Sequence, residues 1–344
     1  QLHIVVNDVL AHAVQARRRH VSVAGQTVVS ITHRMRLVED DPSHCSLQEV
    51  YDAHCLANGT DSDAPLMLCR ERLSALPKLD RSKPTAAAGT AEAAQQQAAQ
   101  QQQQAEQDAR KLRIYNEVCQ KIPADVLSRY VHSMLRADAE ALWAFKRALA
   151  MQLAAGSLLG HAFVVPDRQP QRFVFSRRTA RFVATEFRPG YTAQGQLDPS
   201  EGVPFRLTRN ITTLLSPLLV DGVFASAMGA TALAISERGP LLKPYLNLLL
   251  RDDLLSWQGS KAAPKSDAEH RAAENQLKER ITKNTARVME RVTTAAPRIN
   301  TTPGPGGAPP RHDHRVDHIC HRLIEAAAQP ERLCHMNPSF VPWL

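Results

Sequence analysis

The sequence predicts an α+β fold, mostly helical, with short strands gathered in two places. Three observations predict it. Apolar residues recur at helical spacing, as in Leu112, Tyr115, Val118, Cys119 and Ile122 and again in Leu142, Phe145 and Leu149. The β-branched and aromatic runs that read as strands are short and fall at residues 20–31 and 163–187. Of 344 residues 43% are hydrophobic, enough for one large domain or two modest ones, while 22 Pro and only 5% aromatic residues assign part of the chain to linkers.

In chain order, residues 1–38 carry two β-branched runs, 20–23 and 26–31, separated by Ala-Gly, which predict a hairpin or two adjacent strands. Ser46 stands three residues before Glu49 ahead of Val50 and Tyr51, a capping-box spacing that starts a helix just after Pro42. Helical patterning continues with breaks to Leu76. Residues 83–107 collapse to Ala, Gln and a little Thr with no apolar stripe to bury, which predicts a surface insert and at most a marginal helix.

Order returns at Ala109 with two or three helices. The runs FVV, RFVF and RFVATEF, punctuated by Pro166 and Pro170, predict small strands around a loop. Helices resume at Asn210 and run to Trp257, broken at Ser216-Pro217 and Gly239-Pro240. A polar helix over 268–292 follows, whose row Glu279, Lys283, Arg287 and Arg291 predicts surface character. Residues 302–310, TPGPGGAPP, predict a linker, and a last helix over about 316–327 leads to the apolar ending FVPWL.

Charge and cysteines narrow the function classes. Forty-two Lys and Arg against 34 Asp and Glu leave a net charge of +8, compatible with acidic partners. No block of five like charges and no aromatic–basic interleaving is present, so nucleic-acid binding is not expected, and Arg17, Arg18 and Arg19 read as a solvated edge. Six Cys without a CxxC pair indicate free buried thiols in a reducing compartment. The apolar stretch 217–235 is interrupted by Asp221 and reads as buried helix, so no membrane span is expected. The first residues lack an initiator Met and a cleavage signal, which leads to the expectation of a piece of a longer polypeptide.

His312, His314, His318, Cys320, His321, Cys334 and His335 offer many potential metal ligands. Their spacing fits no paired zinc pattern, so no metal site is expected there and Cys320 is placed on the packed side of the last helix.

Five segments carry a resemblance: MRLVEDDPSHCSLQEVYDAHC (35–55), LWAFKRALAMQLAAGSLLGHAFVV (142–165), VPFRLTRNI (203–211), LLRDDLLSW (249–257) and MNPSFVPWL (336–344). Together they resemble the pseudokinase branch of the phosphatidylinositol-3-kinase-related kinase family, over about four fifths of the chain. VPFRLTRNI is shared with active members; MRLVEDDPS and NPSFVPWL are more particular to the pseudokinase. The resemblance implies a protein-kinase-like fold of the PI3/PI4-kinase type. It assigns 1–38 to a partial N-lobe, 39–82 to an inter-lobe segment and first helices, and 83–108 to the Ala/Gln insert. It assigns 109–293 to a degenerate C-lobe, 294–311 to a linker and 312–344 to a FATC module docked through Phe340 and Trp343.

Phosphoryl transfer needs a carboxylate to orient the hydroxyl and an Asn and an Asp to hold Mg²⁺. Active relatives carry Asp-Arg-His with an Asn three residues after the His, and an Asp-Phe-Gly about fourteen residues beyond it. The same register falls here on Asp167-Arg168-Gln169-Pro170-Gln171-Arg172 and on Glu186-Phe187-Arg188. Asp167 survives. Gln169 replaces His, Arg172 replaces the metal-holding Asn, Glu186 replaces Asp and Arg188 replaces Gly.

The resemblance therefore implies no catalytic, cofactor or metal residues, with Asp167, Gln169, Arg172, Glu186 and Arg188 as degenerate positions. Asp167 is expected to pair with Arg168 or Arg172 and to lie near Glu186 across a hairpin of 173–175 with 182–184. Arg172, Arg177, Arg178, Arg181 and Arg188 are expected to make the cleft positive. The implied function is a nuclear, non-catalytic scaffold. It would be part of the activator-recruiting subunit of SAGA-type and related histone acetyltransferase complexes, contacting their subunits and, mostly outside this chain, transcription activators. The alternative is an atypical Ser/Thr kinase acting through Asp167 and Glu186.

Overall fold

Val6, Val9, Leu10 and Ala13 fall at three- and four-residue steps and are all buried, so the chain opens helically rather than in strands. Helix α1 spans Leu2–His12 and α2 Val14–Arg18. The runs at 20–23 and 26–31 predict strands there, and the sequence reading assigns no element to the residues before them. The computed structural model describes residues 2–32, 35–77, 91–136, 138–184, 189–198, 202–217, 219–258, 267–296 and 315–344. The first strands are β1 (Val28–Thr32) and β2 (Met35–Val38), paired antiparallel with Val29 opposite Leu37. The hairpin thus lies later than the runs at 20–23 and 26–31 indicated.

Strand β3 (His44–Ser46) leads into α3 (Leu47–Asn58) through the expected capping box. Ser46 accepts from the Glu49 N–H at 3.2 Å, and the Glu49 carboxylate accepts from the Ser46 N–H at 2.6 Å. Gly59, at φ 62°, closes the helix in the left-handed region that a side chain disfavours. Helix α4 is Ala64–Ser74.

Helix α5 runs unbroken over Ala91–Lys121. It passes straight through residues 108 and 109, where composition had suggested a boundary. Ile114, Tyr115 and Val118 anchor its second half in the core, and that anchored half supplies the helical nucleus from which the Ala/Gln half propagates. Helix α6 (Val126–Met134) follows, and the Asn210 side-chain oxygen accepts from its Leu127 N–H at 3.3 Å.

The centre of the molecule is α7, Ala139–Ala162, capped by Asp138 and buried along Phe145, Leu149, Leu153 and Leu158. It packs on β4 (Phe173–Ser176) and β5 (Phe182–Ala184), which pair antiparallel with Val174 opposite Val183, as the sequence indicated. Strand β3 pairs with the other edge of β4, so the sheet order is β3-β4-β5. Gly156 permits this packing: a Cβ there would lie 2.9 Å from the Phe182 ring.

The remaining elements surround α7. Helix α8 is Arg209–Leu215, a π-turn Val220–Phe224 leads into α9 (Ala225–Glu237), and α10 is Gly239–Gln258. The breaks fall where Ser216-Pro217 and Gly239-Pro240 placed them. Helix α9 is lined with buried small side chains, and no single helix among the described residues is long and apolar enough to cross a membrane. Helix α11 (Asp267–Ala295) and α12 (Arg315–Ala328) pack on α9, and the short α13 (Pro330–Leu333) precedes the ending. The 302–310 linker lies outside the described residues.

The charge row of helix α11 lies on the surface at Glu279, Lys283 and Arg287, as expected, while another face of the helix is buried. Glu279 and Lys283 do pair on the outside at 2.6 Å. Asn284 is fully buried, accepting from Leu197 N at 3.1 Å and donating to Gly195 O at 2.9 Å, so α11 clamps the loop that follows the hairpin. Arg291 is half-buried and reaches inward to His161 O, whereas Arg287 stays exposed while donating to Leu197 O.

Candidate functional site

Helix α7 ends at Ala162 and delivers the segment 163–169 to the surface beside β4. There Asp167 makes two bonds. Its Oδ1 accepts from Gln169 N at 3.0 Å, closing a short turn, and its Oδ2 accepts from Arg172 Nε at 3.1 Å. Arg172 belongs to the 3₁₀ turn Pro170–Arg172 that starts β4, and the pair is about two-fifths exposed, at 36% for Asp167 and 41% for Arg172. An ion pair so exposed contributes at most about 1 kcal/mol. Its importance is positional: a guanidinium covers the carboxylate.

Arg168 turns the other way, into the core, and donates to Val203 O at 3.2 Å and Pro204 O at 2.8 Å. The sequence had left Arg168 and Arg172 as alternative partners of Asp167; the structure pairs Asp167 with Arg172. Glu186 and Arg188 lie outside the described residues, and so does the expected proximity of Asp167 to Glu186. Of the other cleft arginines, Arg177 is committed to the backbone, donating to Pro42 O at 2.6 Å and Ser43 O at 3.3 Å. Arg178 and Arg181 stay exposed.

Behind this loop lies a second cluster that the sequence showed only as a shared motif. Arg206, in VPFRLTRNI, is buried at 7% exposure and donates to Arg168 O at 2.6 Å, Phe340 O at 2.6 Å, Val341 O at 3.0 Å and Leu344 O at 3.2 Å. Arg209 donates to Trp343 O at 2.8 Å and to Ile122 O. Two guanidiniums therefore hold the carbonyls of the FVPWL ending. Burial pushes the Arg206 guanidinium down to about 9, and the neighbouring Arg168 adds to that. Trp343 is buried as expected, and Leu344 is buried with it, whereas Phe340, expected to be buried, is only half-buried.

The last turn of α7 carries His161, which the sequence did not single out. Arg291 donates to His161 O at 2.9 Å and to its Nδ1 at 3.1 Å. A guanidinium only donates, so Nδ1 accepts and the neutral ring carries its proton on Nε2. Burial, then Arg291 and Arg168, push the ring down to about 3. The folded state thus binds fewer protons than the unfolded one, and stability falls as pH drops through the unfolded value near 6.5 toward 3.

The expected loss from this group is roughly 2 kcal/mol between about pH 7.5 and about pH 5. Asn at this position keeps an acceptor for Arg291 and does not titrate. Denaturant unfolding at both pH values should show His161→Asn lacking that loss, while the slope due to half-buried His3, also lowered by burial, remains. An unchanged pH slope in His161→Asn would assign the titration to another group.

Among the described residues the His/Cys run forms no ligand cluster. His321 faces Asp221 at 4.0 Å and His335 faces Asp108 at 3.6 Å, while Cys320, buried as expected, contacts Ala295 O at 3.4 Å. His312 and His314 lie outside the described residues. No group of three His, Cys, Asp or Glu side chains among the described residues could hold a metal ion.

With this geometry in hand, the comparisons with known proteins are specific. The family model of phosphatidylinositol 3- and 4-kinase matches residues 1–259. Over 358 residues the chain is 26% identical to the transformation/transcription domain-associated protein of Mus musculus, covering 100% of the chain and 12% of that protein. Over 349 residues it is 26% identical to the SAGA complex/NuA4 acetyltransferase complex subunit Tra1 of Schizosaccharomyces pombe, covering 100% of the chain and 9% of that subunit. The chain thus spans about a tenth of the length of these relatives. The solved FAT and kinase domain of CtTel1 superposes with a TM-score of 0.64 at 17% identity, covering 100% of the chain and 20% of that structure, which shows the same fold.

Proposed function

The chain belongs to the phosphatidylinositol 3- and 4-kinase family, and from that premise we propose that it is a non-catalytic kinase-like segment serving as a docking platform. The observation that carries the reading is Arg172 on Asp167. In the register of active relatives, Arg172 occupies the position of a metal-holding Asn and Asp167 that of the hydroxyl-orienting carboxylate. Their 3.1 Å contact places a fixed cation against the acceptor. Such a pair opposes Mg²⁺ by charge repulsion and engages the carboxylate oxygen that would receive the hydroxyl proton.

The relatives named above supply the setting: subunits of SAGA and NuA4 acetyltransferase complexes and transcription-associated proteins. On this reading the chain works in the nucleus, within histone acetyltransferase complexes, through protein–protein contacts that serve transcription. A stripe on the outer face of α10 supports a docking role. Leu241, Tyr245, Leu248 and Leu255 are 60%, 54%, 59% and 44% exposed, and their spacing puts all four within one narrow face. Leu248→Asp combined with Tyr245→Ser should abolish co-purification with complex subunits while leaving the melting temperature within about 2 °C. Retained co-purification would assign docking to another face.

The catalytic part is tested by titrating the full chain with ATP and Mg²⁺. The expected result is no saturable, Mg²⁺-dependent binding up to about 1 mM nucleotide, and no phosphotransfer that Asp167→Ala changes. A phosphotransfer activity abolished by Asp167→Ala would instead establish the atypical Ser/Thr kinase, with Glu186 as its candidate metal ligand.

A further inference from the structure

Beside the last turn of α7, away from Asp167, lies an open cavity of about 570 Å³. Four elements build it: the end of α7, the loop 192–197, α11 and α12. Its volume falls in the range of small-molecule sites, roughly 300–1,000 Å³. The lining mixes two chemistries. Val164, Leu197, Ala295, Ile319 and Leu323 supply apolar surface, the last two from one face of α12. The remaining lining is polar and rich in donors.

Arg287 and Arg291 stand one helical turn apart on α11 and both line the cavity. Arg287 donates to Leu197 O at 3.3 Å and Gln196 Oε1 at 3.0 Å, and Arg291 to His161 O and Nδ1. All four bonds go to neutral acceptors. Each guanidinium has five N–H donors, so capacity remains on both. Because Nδ1 of His161 accepts, its Nε2 is a donor as well. Against these, Glu290 is the one carboxylate among the described residues that line the cavity. Arg291 is half-buried, and burial lowers its affinity for its proton, the condition of a cation short of a counter-charge.

We propose that this cavity binds a small organic oxyanion, its phosphate or carboxylate head held by Arg287 and Arg291 and its apolar body lying against α12. Guanidinium forks match both heads in geometry and form charge-assisted bonds to them. The apolar lining selects against bare inorganic ions. This site is independent of the scaffold reading, because none of its residues belongs to the degenerate catalytic register.

Calorimetric titration of the full chain with phenyl phosphate and with benzoate tests the site, with phenol as the headless control. One saturable site is expected for at least one of the two anions and none for phenol; the preferred anion identifies the head group. Arg287→Gln, at an exposed position, should weaken binding at least about tenfold with the fold intact. Leu323→Trp should abolish it by filling the apolar side while leaving both guanidiniums in place, its fold checked by circular dichroism. Saturation by neither anion, equal affinity in Arg287→Gln, undiminished binding in a folded Leu323→Trp, or binding of an acidic peptide alone would overturn the proposal.

Discussion

Replacing Arg206 by Leu is expected to cost the fold about 3–5 kcal/mol. The side chain is buried and serves four carbonyl oxygens drawn from two distant parts of the chain, Arg168 on one side and Phe340, Val341 and Leu344 on the other. Leucine fills part of the volume and satisfies none of them. Lysine keeps the charge but has three donors on one nitrogen instead of a planar fork, so Arg206→Lys should fall between wild type and Leu. Urea unfolding midpoints measure the difference, and amide exchange over residues 340–344 should quicken in step. A midpoint within experimental error of wild type would mean that apolar contacts alone hold the ending.

The apolar contacts set the second large effect. Trp343 is 1% exposed and among the largest fully buried side chains, and Trp343→Ala should cost about 3–5 kcal/mol through lost contacts and a residual cavity. Its indole N–H is buried without an acceptor among the described residues. Phenylalanine therefore sacrifices no hydrogen bond, and Trp343→Phe should cost only roughly 1–2 kcal/mol. The double variant Arg206→Leu with Trp343→Ala should lose less than the sum of the two, since either change already frees the ending. Strict additivity, read from the same unfolding curves, would show that the two residues act on separate structures.

Much of this architecture is legible in the sequence where the signal is local. Ser46 and Glu49 specify a helix start by themselves, and the runs at 173–175 and 182–184 specify a hairpin that forms with the expected pairing. Two kinds of signal were not legible. Val5, Val6 and Val9 carry β composition, yet tertiary burial of one face makes their segment helical. Arg206 reaches Phe340 across 134 residues, so no window around VPFRLTRNI contains its partners.

The same division runs through the candidate site. Asp167 and Arg172 are five residues apart, and their pairing could be foreseen. His161, Arg287 and Arg291 come together only because α11 packs against the end of α7. Arg287 and Arg291 carried a weak mark in advance: they continue the charge row of α11 beyond Lys283 without an acid four residues before them.

The continuity of α5 has a mechanical consequence for its Gln-rich half. Because Ala91–Lys121 is one helix held by Ile114, Tyr115 and Val118, residues gained or lost within the Gln tract do not simply slacken a loop. Each one extends or retracts a rod by about 1.5 Å and turns everything beyond it by about 100°. Length variation in the tract thus works as a screw thread, setting both the reach and the azimuth of whatever the rod's far end carries, with the pitch of the α-helix as its gearing.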